Sequence, residues 1–186
     1  MTISIEKRLL NVAEYRKMAE VGILQPEDRM ELISGEIIKM SPIKSNHASH
    51  VKKISALLNQ IYQGQKIISV QDPLHLNNNS EPEPDLMVLQ LKDNFYQDHH
   101  PKPHDVQLLI EVADSSLAYD QSIKLPLYAE AGIPNYWIIN LEAQCIEAYA
   151  QPGNGTYKLH RRHFQGDQFF FPEIKTAYLA KDLLIL

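Results

Sequence analysis

The sequence predicts an α+β fold, one mixed central sheet flanked by helices, and three observations carry that expectation. From Asn46 the apolar positions Val51, Ile54, Leu57, Leu58 and Ile61 recur at spacings of three and four, the mark of a one-sided helix ending near Gly64. Val106 to Ala113 (VQLLIEVA) is the most apolar strand-like run in the chain, with one acid in its middle. Beyond Gly132 and Pro134 the chain reads as strand after strand, without intervening helices.

In chain order, Asn11-Val12-Ala13-Glu14 is a capping box that opens a helix running to about Val21, with Gly22 as its stop signal. ELISGEIIKM (31–40) places β-branched residues on either side of Ser34-Gly35 and predicts a hairpin, closed by Pro42. After the Asn46 helix, Lys66 to Leu76 predicts a strand broken by Asp72-Pro73, and Asn77-Asn78-Asn79-Ser80 a turn. Leu86 to Leu91 predicts a strand, Asp93 to Asp105 a polar loop, and Tyr119 to Ala131 a helix stopped by Gly132. The later strands are expected at 135–140, 144–150, 156–163 and 168–171, with Pro152-Gly153-Asn154-Gly155 as a hairpin turn. That turn is no phosphate loop, since no helix follows it.

At 186 residues, with no repeat and no evident linker, residues 1–186 are expected to form a single domain with a sizeable core. No apolar run approaches the roughly 20 residues that span a bilayer. The first residues lack a signal-peptide pattern, and the single cysteine, Cys145, has no intrachain partner; a cytoplasmic location is the expectation. The net charge of −5 argues against a coat protein that grips many phosphates, but not against an enzyme meeting one phosphodiester locally.

The chemistry concentrates around EPEPDLMVL (81–89). Asp85 stands at the mouth of a strand, where an acid is ordinarily a turn former. Glu111 lies inside VQLLIEVA, on the opposite face to Ile110 and Val112, where an ionised carboxylate is costly unless something positive meets it. A structural ion pair would satisfy it. If the two strands pair, about 4.8 Å apart, Asp85 and Glu111 instead share one hard divalent cation, Mg²⁺ or Mn²⁺. Asp120 and Lys124, four apart, fall on one helix face, and a lysine beside such a cation steadies charge developing on phosphorus.

Pro84-Asp85, an apolar strand bearing Glu111 and a following lysine together resemble the PD-(D/E)xK nuclease superfamily. The residue two after Glu111 is Ala113, not lysine, and the sequence is more similar to one branch, the Uma-type restriction endonucleases, in which the lysine has moved to the next helix. The matching phrases are MELISGEIIKMSP, SEPEPDLMVL, LLIEVADSS and YDQSIKLPLYAEAGIPNYWIIN, in family order from residue 30 to residue 140. The resemblance implies a restriction-endonuclease-like sheet and a Mg²⁺- or Mn²⁺-dependent endonuclease acting on nucleic acid, with DNA as the expected substrate. Asp85 and Glu111 become metal ligands, Lys124 the charge partner, and Glu31 an accessory acid that holds a second metal or its water. His47 falls where the family has a histidine, though alone it reads as a helix-start polar residue.

Pro126, two residues past Lys124, departs from a regular helix. The expectation is therefore an irregular first turn over Asp120 to Ile123, a regular helix beyond it, and Lys124 at the junction facing the carboxylates. Glu81 and Glu83 read as solvated loop acids. The His160-Arg161-Arg162-His163 run reads as a solvated strand edge. Phe169 to Phe171 and Leu183 to Leu186 read as core or as the surface of a homodimer, the expected assembly. Two further readings stay open: a catalytically silent binding module retaining a relic site, and a hydrolase of small nucleotides.

Overall fold

The computed structural model describes residues 6–184. Helix α1 (Val12–Glu20) starts from the expected capping box: the Asn11 side chain accepts from the Glu14 N–H at 2.9 Å, and the Glu14 carboxylate accepts from the Asn11 N–H at 3.1 Å. Strands β1 (Met30–Ile33) and β2 (Glu36–Lys39) form a hairpin turned by Ser34 and Gly35. Both turn residues have positive φ, the geometry whose twist matches the flanking strands. Helix α2 (Ser45–Tyr62) follows, then β3 (Lys66–Val70), β4 (Leu86–Gln90) and β5 (Val106–Ala113).

The link from β5 to its next neighbour is helical throughout. It comprises a short turn α3 (Leu117–Tyr119), a π-turn over Asp120–Lys124, and α4 (Leu125–Glu130). Strands β6 (Asn135–Asn140), β7 (Cys145–Gly153) and β8 (Thr156–Phe164) then meander, and a small pair, β9 (Gln168–Phe170) and β10 (Ala177–Leu179), closes the fold.

The main sheet has the order β3-β4-β5-β6-β7-β8 and is antiparallel except for β5 and β6, which run parallel. Parallel neighbours need a crossover, and the α3–π–α4 segment supplies it. Period-two alternation splits the central strands between two cores. Leu108, Ile110 and Val112 pack with Val51, Ile54 and Leu58 of α2. Leu109 and Ala113 pack with Tyr128 and Ala129 of α4 on the other face. β5 is therefore covered on both sides, which is why its sequence is nearly all apolar. Glu111, odd-numbered, faces the α4 layer.

Of the two readings of the C-terminal aromatics, the structure shows core rather than dimer surface for Phe169 and Phe171. Phe169, Phe171, Leu183 and Leu184 are buried against Trp137 and the α2 layer, leaving Phe170 exposed in the stretch 169–171. This apolar area goes into the chain's own core, because the small β9–β10 pair folds it back onto the sheet. Residues 185 and 186 of the proposed surface lie outside the described residues. Among the described residues no helix is long and apolar enough to cross a membrane.

The two-sided packing of β5 makes its apolar residues sensitive. Ile110→Ala is expected to cost about 2–5 kcal/mol, the range for truncating a fully buried branched chain. For a chain of this size that is a fall in melting temperature of roughly 2–4 °C per kcal/mol, read by thermal denaturation followed by circular dichroism.

Candidate active site

Asp85 immediately precedes β4, and the antiparallel register pairs Leu86 with Ile110. Asp85 and Glu111 consequently sit across from one another at the end of the β4–β5 ladder. The Asp85 N–H donates to Glu111 Oε2 at 3.2 Å, and the Val112 N–H donates to Asp85 Oδ2 at 2.9 Å. Each carboxylate is thus seated by backbone adjacent to the other, as the sequence led one to expect.

Lys124 reaches this pair from the helix above. Its ammonium donates to Glu111 Oε1 at 2.9 Å and lies 3.5 Å from Glu31 Oε2. The π-turn makes this possible. The Leu125 N–H returns to the Asp120 carbonyl five residues back, and the wider turn rotates Lys124 inward. Pro126 then falls in the first turn of α4, where its missing N–H costs nothing. The irregular turn, the regular helix beyond it and the inward lysine all match the expectation that Pro126 prompted.

Glu31 arrives from β1 and is also inside the cluster. It accepts from the Tyr119 hydroxyl at 3.1 Å and from the Glu83 N–H at 3.2 Å. The Tyr128 hydroxyl donates to Glu111 Oε1 at 3.0 Å. The relative exposures are 1% for Glu31, 4% for Glu111, 5% for Lys124 and 8% for Asp85, so this chemistry lies at the floor of a cavity of about 240 Å³.

Electrostatics follow from that burial. Desolvation, with Asp120 and Asp85 nearby, pushes the Glu111 carboxyl up to about 8 against the pull of Lys124. Desolvation likewise lifts Asp120 to about 6. Burial works to lower the Lys124 ammonium, but Glu111, Glu31 and Asp120 outweigh it and hold it above the usual lysine range. For Asp85 burial is again opposed, here by the His47 hydrogen bond, and the carboxyl ends below its ordinary value. The cluster is richer in acid than its one buried ammonium can neutralise.

Sequence reasoning underweighted His47. Its Nε2 donates to Asp85 Oδ2 at 2.8 Å from the first turn of α2, so it belongs to the site. Its place at a helix start was the available signal, but its partner lies 38 residues away. Gln71, which donates to Asp85 Oδ1 at 3.1 Å, gave no signal in the sequence. Glu81 differs from a solvated loop acid: it is buried, and the Arg16 guanidinium meets both its oxygens. Glu83 is half-buried on the cavity wall, where desolvation raises its carboxyl. The 160–163 run lies on β8, an edge strand separated from β5 by β6 and β7, so it is not part of this site.

A second buried acid, Glu147 on β7, was missed, although an acid inside an apolar strand is the same signal that marked Glu111. Its oxygens accept from Gln121 at 2.7 Å, Tyr149 at 2.9 Å and Asn140 at 3.1 Å, with Arg162 at 3.2 Å. The Gln121 bond ties the π-turn to β7, and the Tyr136 hydroxyl ties it to β6 through the Asp120 carbonyl at 3.2 Å.

The donor set suits a hard dication. Asp85 Oδ1 and Glu111 Oε2 each take one hydrogen bond and keep a lone pair, and the surplus of acid favours a cation. Among the described residues, however, no group of three or more His, Cys, Asp or Glu is arranged as a ready metal cage.

Comparison with known proteins places this geometry in context. The Uma2 family model, described as “Putative restriction endonuclease”, matches residues 12–174. The crystal structure of a “putative nuclease” from Anabaena variabilis is similar over 94% of this chain and 97% of that one, with a TM-score of 0.71 and 15% sequence identity. At that identity the likeness speaks for the fold alone. No curated protein matches the chain.

Glu147 gives this site a pH signature. Burial tends to raise its carboxyl, but its hydrogen bonds to Asn140, Tyr149 and Gln121 prevail and lower it below the ordinary 4.5. Its stabilisation is therefore present above the unfolded value and lost as pH falls through the folded one. Glu147→Gln is expected to cost about 1–3 kcal/mol at neutral pH. Melting curves of the two proteins should converge as the pH is lowered below the ordinary carboxylate range.

Proposed function

The chain belongs to the Uma2 family, and we propose that it hydrolyses phosphodiester bonds of nucleic acid, DNA in the first instance, with a Mg²⁺ or Mn²⁺ ion between Asp85 and Glu111. The observation that carries this reading is the convergence of Lys124 on Glu111, with Asp85 seated on the neighbouring strand end. Three chemically committed groups from three elements meet where none is needed to complete an apolar core.

In this reading Asp85 and Glu111 hold the cation, and Glu31 lends a third carboxylate beside Lys124. When bound, such a cation would supply Lewis-acid charge for phosphoryl oxygens and would make a water more acidic. Lys124 keeps its proton, because the surrounding acids hold it charged, and so places a fixed positive charge where the pentavalent phosphorus accumulates negative charge. His47 orients Asp85 by its hydrogen bond to Oδ2, and Gln71 holds Oδ1, which keeps one lone pair. Tyr128 and the Asp85 N–H fix the Glu111 rotamer. Ala113 shares the β5 face with Glu111, so the charge that a lysine on the strand would bring comes from the helix above.

One observation favours a second reading. Lys124 already pairs with Glu111 and approaches Glu31 in a buried ion cluster, which a silent nucleic-acid or protein-binding module would retain for stability alone. The two readings diverge in their response to metal and to loss of the lysine.

Millimolar Mg²⁺ or Mn²⁺ is expected to raise the melting temperature of the wild-type protein by mass action, and Glu111→Gln should abolish most of that rise while remaining folded. A wild-type melting curve indifferent to both ions would remove the support for a metal site.

Lys124→Met keeps the stem and deletes the charge. It leaves the acids uncompensated, so the metal-induced rise in melting temperature should be kept or enlarged. Metal-dependent cleavage, in a screen over single- and double-stranded substrates, should fall on the order of 100-fold on whichever substrate the wild type cuts. Equal cleavage by mutant and wild type would make the lysine purely structural.

A further inference from the structure

Floor and lip of the cavity differ in charge. The floor is acidic and nearly closed to solvent, whereas the lip carries Arg29, Lys39 and Lys44. Arg29 precedes β1 and donates to the Ser41 carbonyl at 2.9 Å, pinning the strap that joins β2 to α2. Lys39 ends β2 and is exposed, and Lys44 stands before α2, 3.2 Å from Asp114 across the cavity mouth. Between the two lysines run Met40, Ser41, Pro42 and Ile43, and Ile43 is 42% exposed. The strap therefore offers cations at both ends and apolar surface between them, and the first turn of α2 behind it carries no acid.

We propose that this strap binds one unpaired nucleic-acid strand, with flanking phosphates on Arg29, Lys39 and Lys44 and a base against Met40 to Ile43. The proposal deepens the nuclease reading and rests on it for the reaction at the floor. Depth selects the single strand. Phosphates of a duplex lie on the outside of a wide, stiff cylinder, and groups only 1–8% exposed beneath a cavity of about 240 Å³ are out of their reach. A separated strand is narrow and flexible enough to lower one phosphate onto Lys124 and Glu111. Charge agrees. Proteins gripping duplexes commonly neutralise roughly six to ten phosphates; this lip offers three cations, and the other basic run lies on the distant β8 edge. The strap has no aromatic ring to stack on, so its base contact is aliphatic, and it is tolerant of sequence because every base presents an apolar face.

The test is fluorescence anisotropy of the wild-type protein with a short labelled DNA single strand, and with the same strand annealed to its complement. Ca²⁺ fills the oxygen ligands during the measurement. The single strand is expected to bind at least roughly tenfold tighter, with log K falling against log salt at a slope near −2, about 0.7 for each of three phosphate contacts. Combined Arg29→Ala, Lys39→Ala and Lys44→Ala should weaken single-strand binding at least roughly tenfold and flatten the slope. Lys39→Ala and Lys44→Ala alone, at exposed positions, carry the test if the triple variant does not fold. Duplex binding as tight as single-strand binding overturns the proposal, and so does unchanged binding by the lip variants. Metal-dependent cleavage with an unaltered KM in the lip variants overturns it while leaving the nuclease reading intact. Single-strand binding through the lip without cleavage in Mg²⁺ or Mn²⁺ supports the strand site and overturns the nuclease reading instead.

Discussion

An ammonium held among buried carboxylates is the interaction around which this molecule is built. Lys124 donates to Glu111 at 2.9 Å and approaches Glu31 at 3.5 Å, with both partners almost entirely out of solvent. Moving such groups from water is expensive, and removing one member of a buried pair typically costs about 3–5 kcal/mol because the other is stranded. The arrangement persists because neighbours satisfy the remaining lone pairs: Tyr128 and the Asp85 N–H on Glu111, Tyr119 and the Glu83 N–H on Glu31. Two of those donors come from the stretch before β4 and two from the crossover, while Glu31 belongs to the hairpin, so the ion pair fastens the hairpin, the strand ends and the crossover together.

The crossover answers to two demands. It must span from β5 to its parallel neighbour β6, and it must point a lysine back at the strand it has just left. A regular α-helix from Leu117 would carry Lys124 at a fixed angle and place Pro126 in its interior. The π-turn shifts the phase by one residue, so that proline begins a new helix and lysine faces inward. Single-turn π-bulges often mark functional sites, and here the physical cost is offset by two ties: Gln121 to Glu147 and the Asp120 carbonyl to Tyr136.

Stability and function pull in opposite directions at this site. Asp85, Glu111, Glu31 and Asp120 outnumber the buried lysine, and burial first, with neighbouring acids second, raises the carboxyls of Glu111 and Asp120. A purely structural pair would need only one acid. The surplus is what a dication would relieve, and it connects the acidic floor to the cationic lip formed by Arg29, Lys39 and Lys44.

Much of this was legible in the sequence wherever the controlling physics is local. The Asn11 capping box, the Ser34-Gly35 turn, the one-sided α2 and the apolar run of β5 are each fixed within a short window, by hydrogen bonds and side-chain periods that do not depend on distant residues. Pro126 even announced the irregular turn before Lys124, because proline constrains its own four-residue neighbourhood. Asp85, Glu111 and Lys124 were nameable because a carboxylate in an apolar strand is conspicuous and the phrases around it resemble a known family. Only the tertiary structure decided which partners those groups met. Tyr119 reaches Glu31 across 88 residues, Arg16 reaches Glu81 across 65, and His47 reaches Asp85 across 38. Glu81 thereby became a buried anchor, His47 a member of the site, and Phe169 and Phe171 part of the chain's own core. Burial and pairing are properties of how layers pack, and a side chain carries no local mark of the distant surface that will cover it.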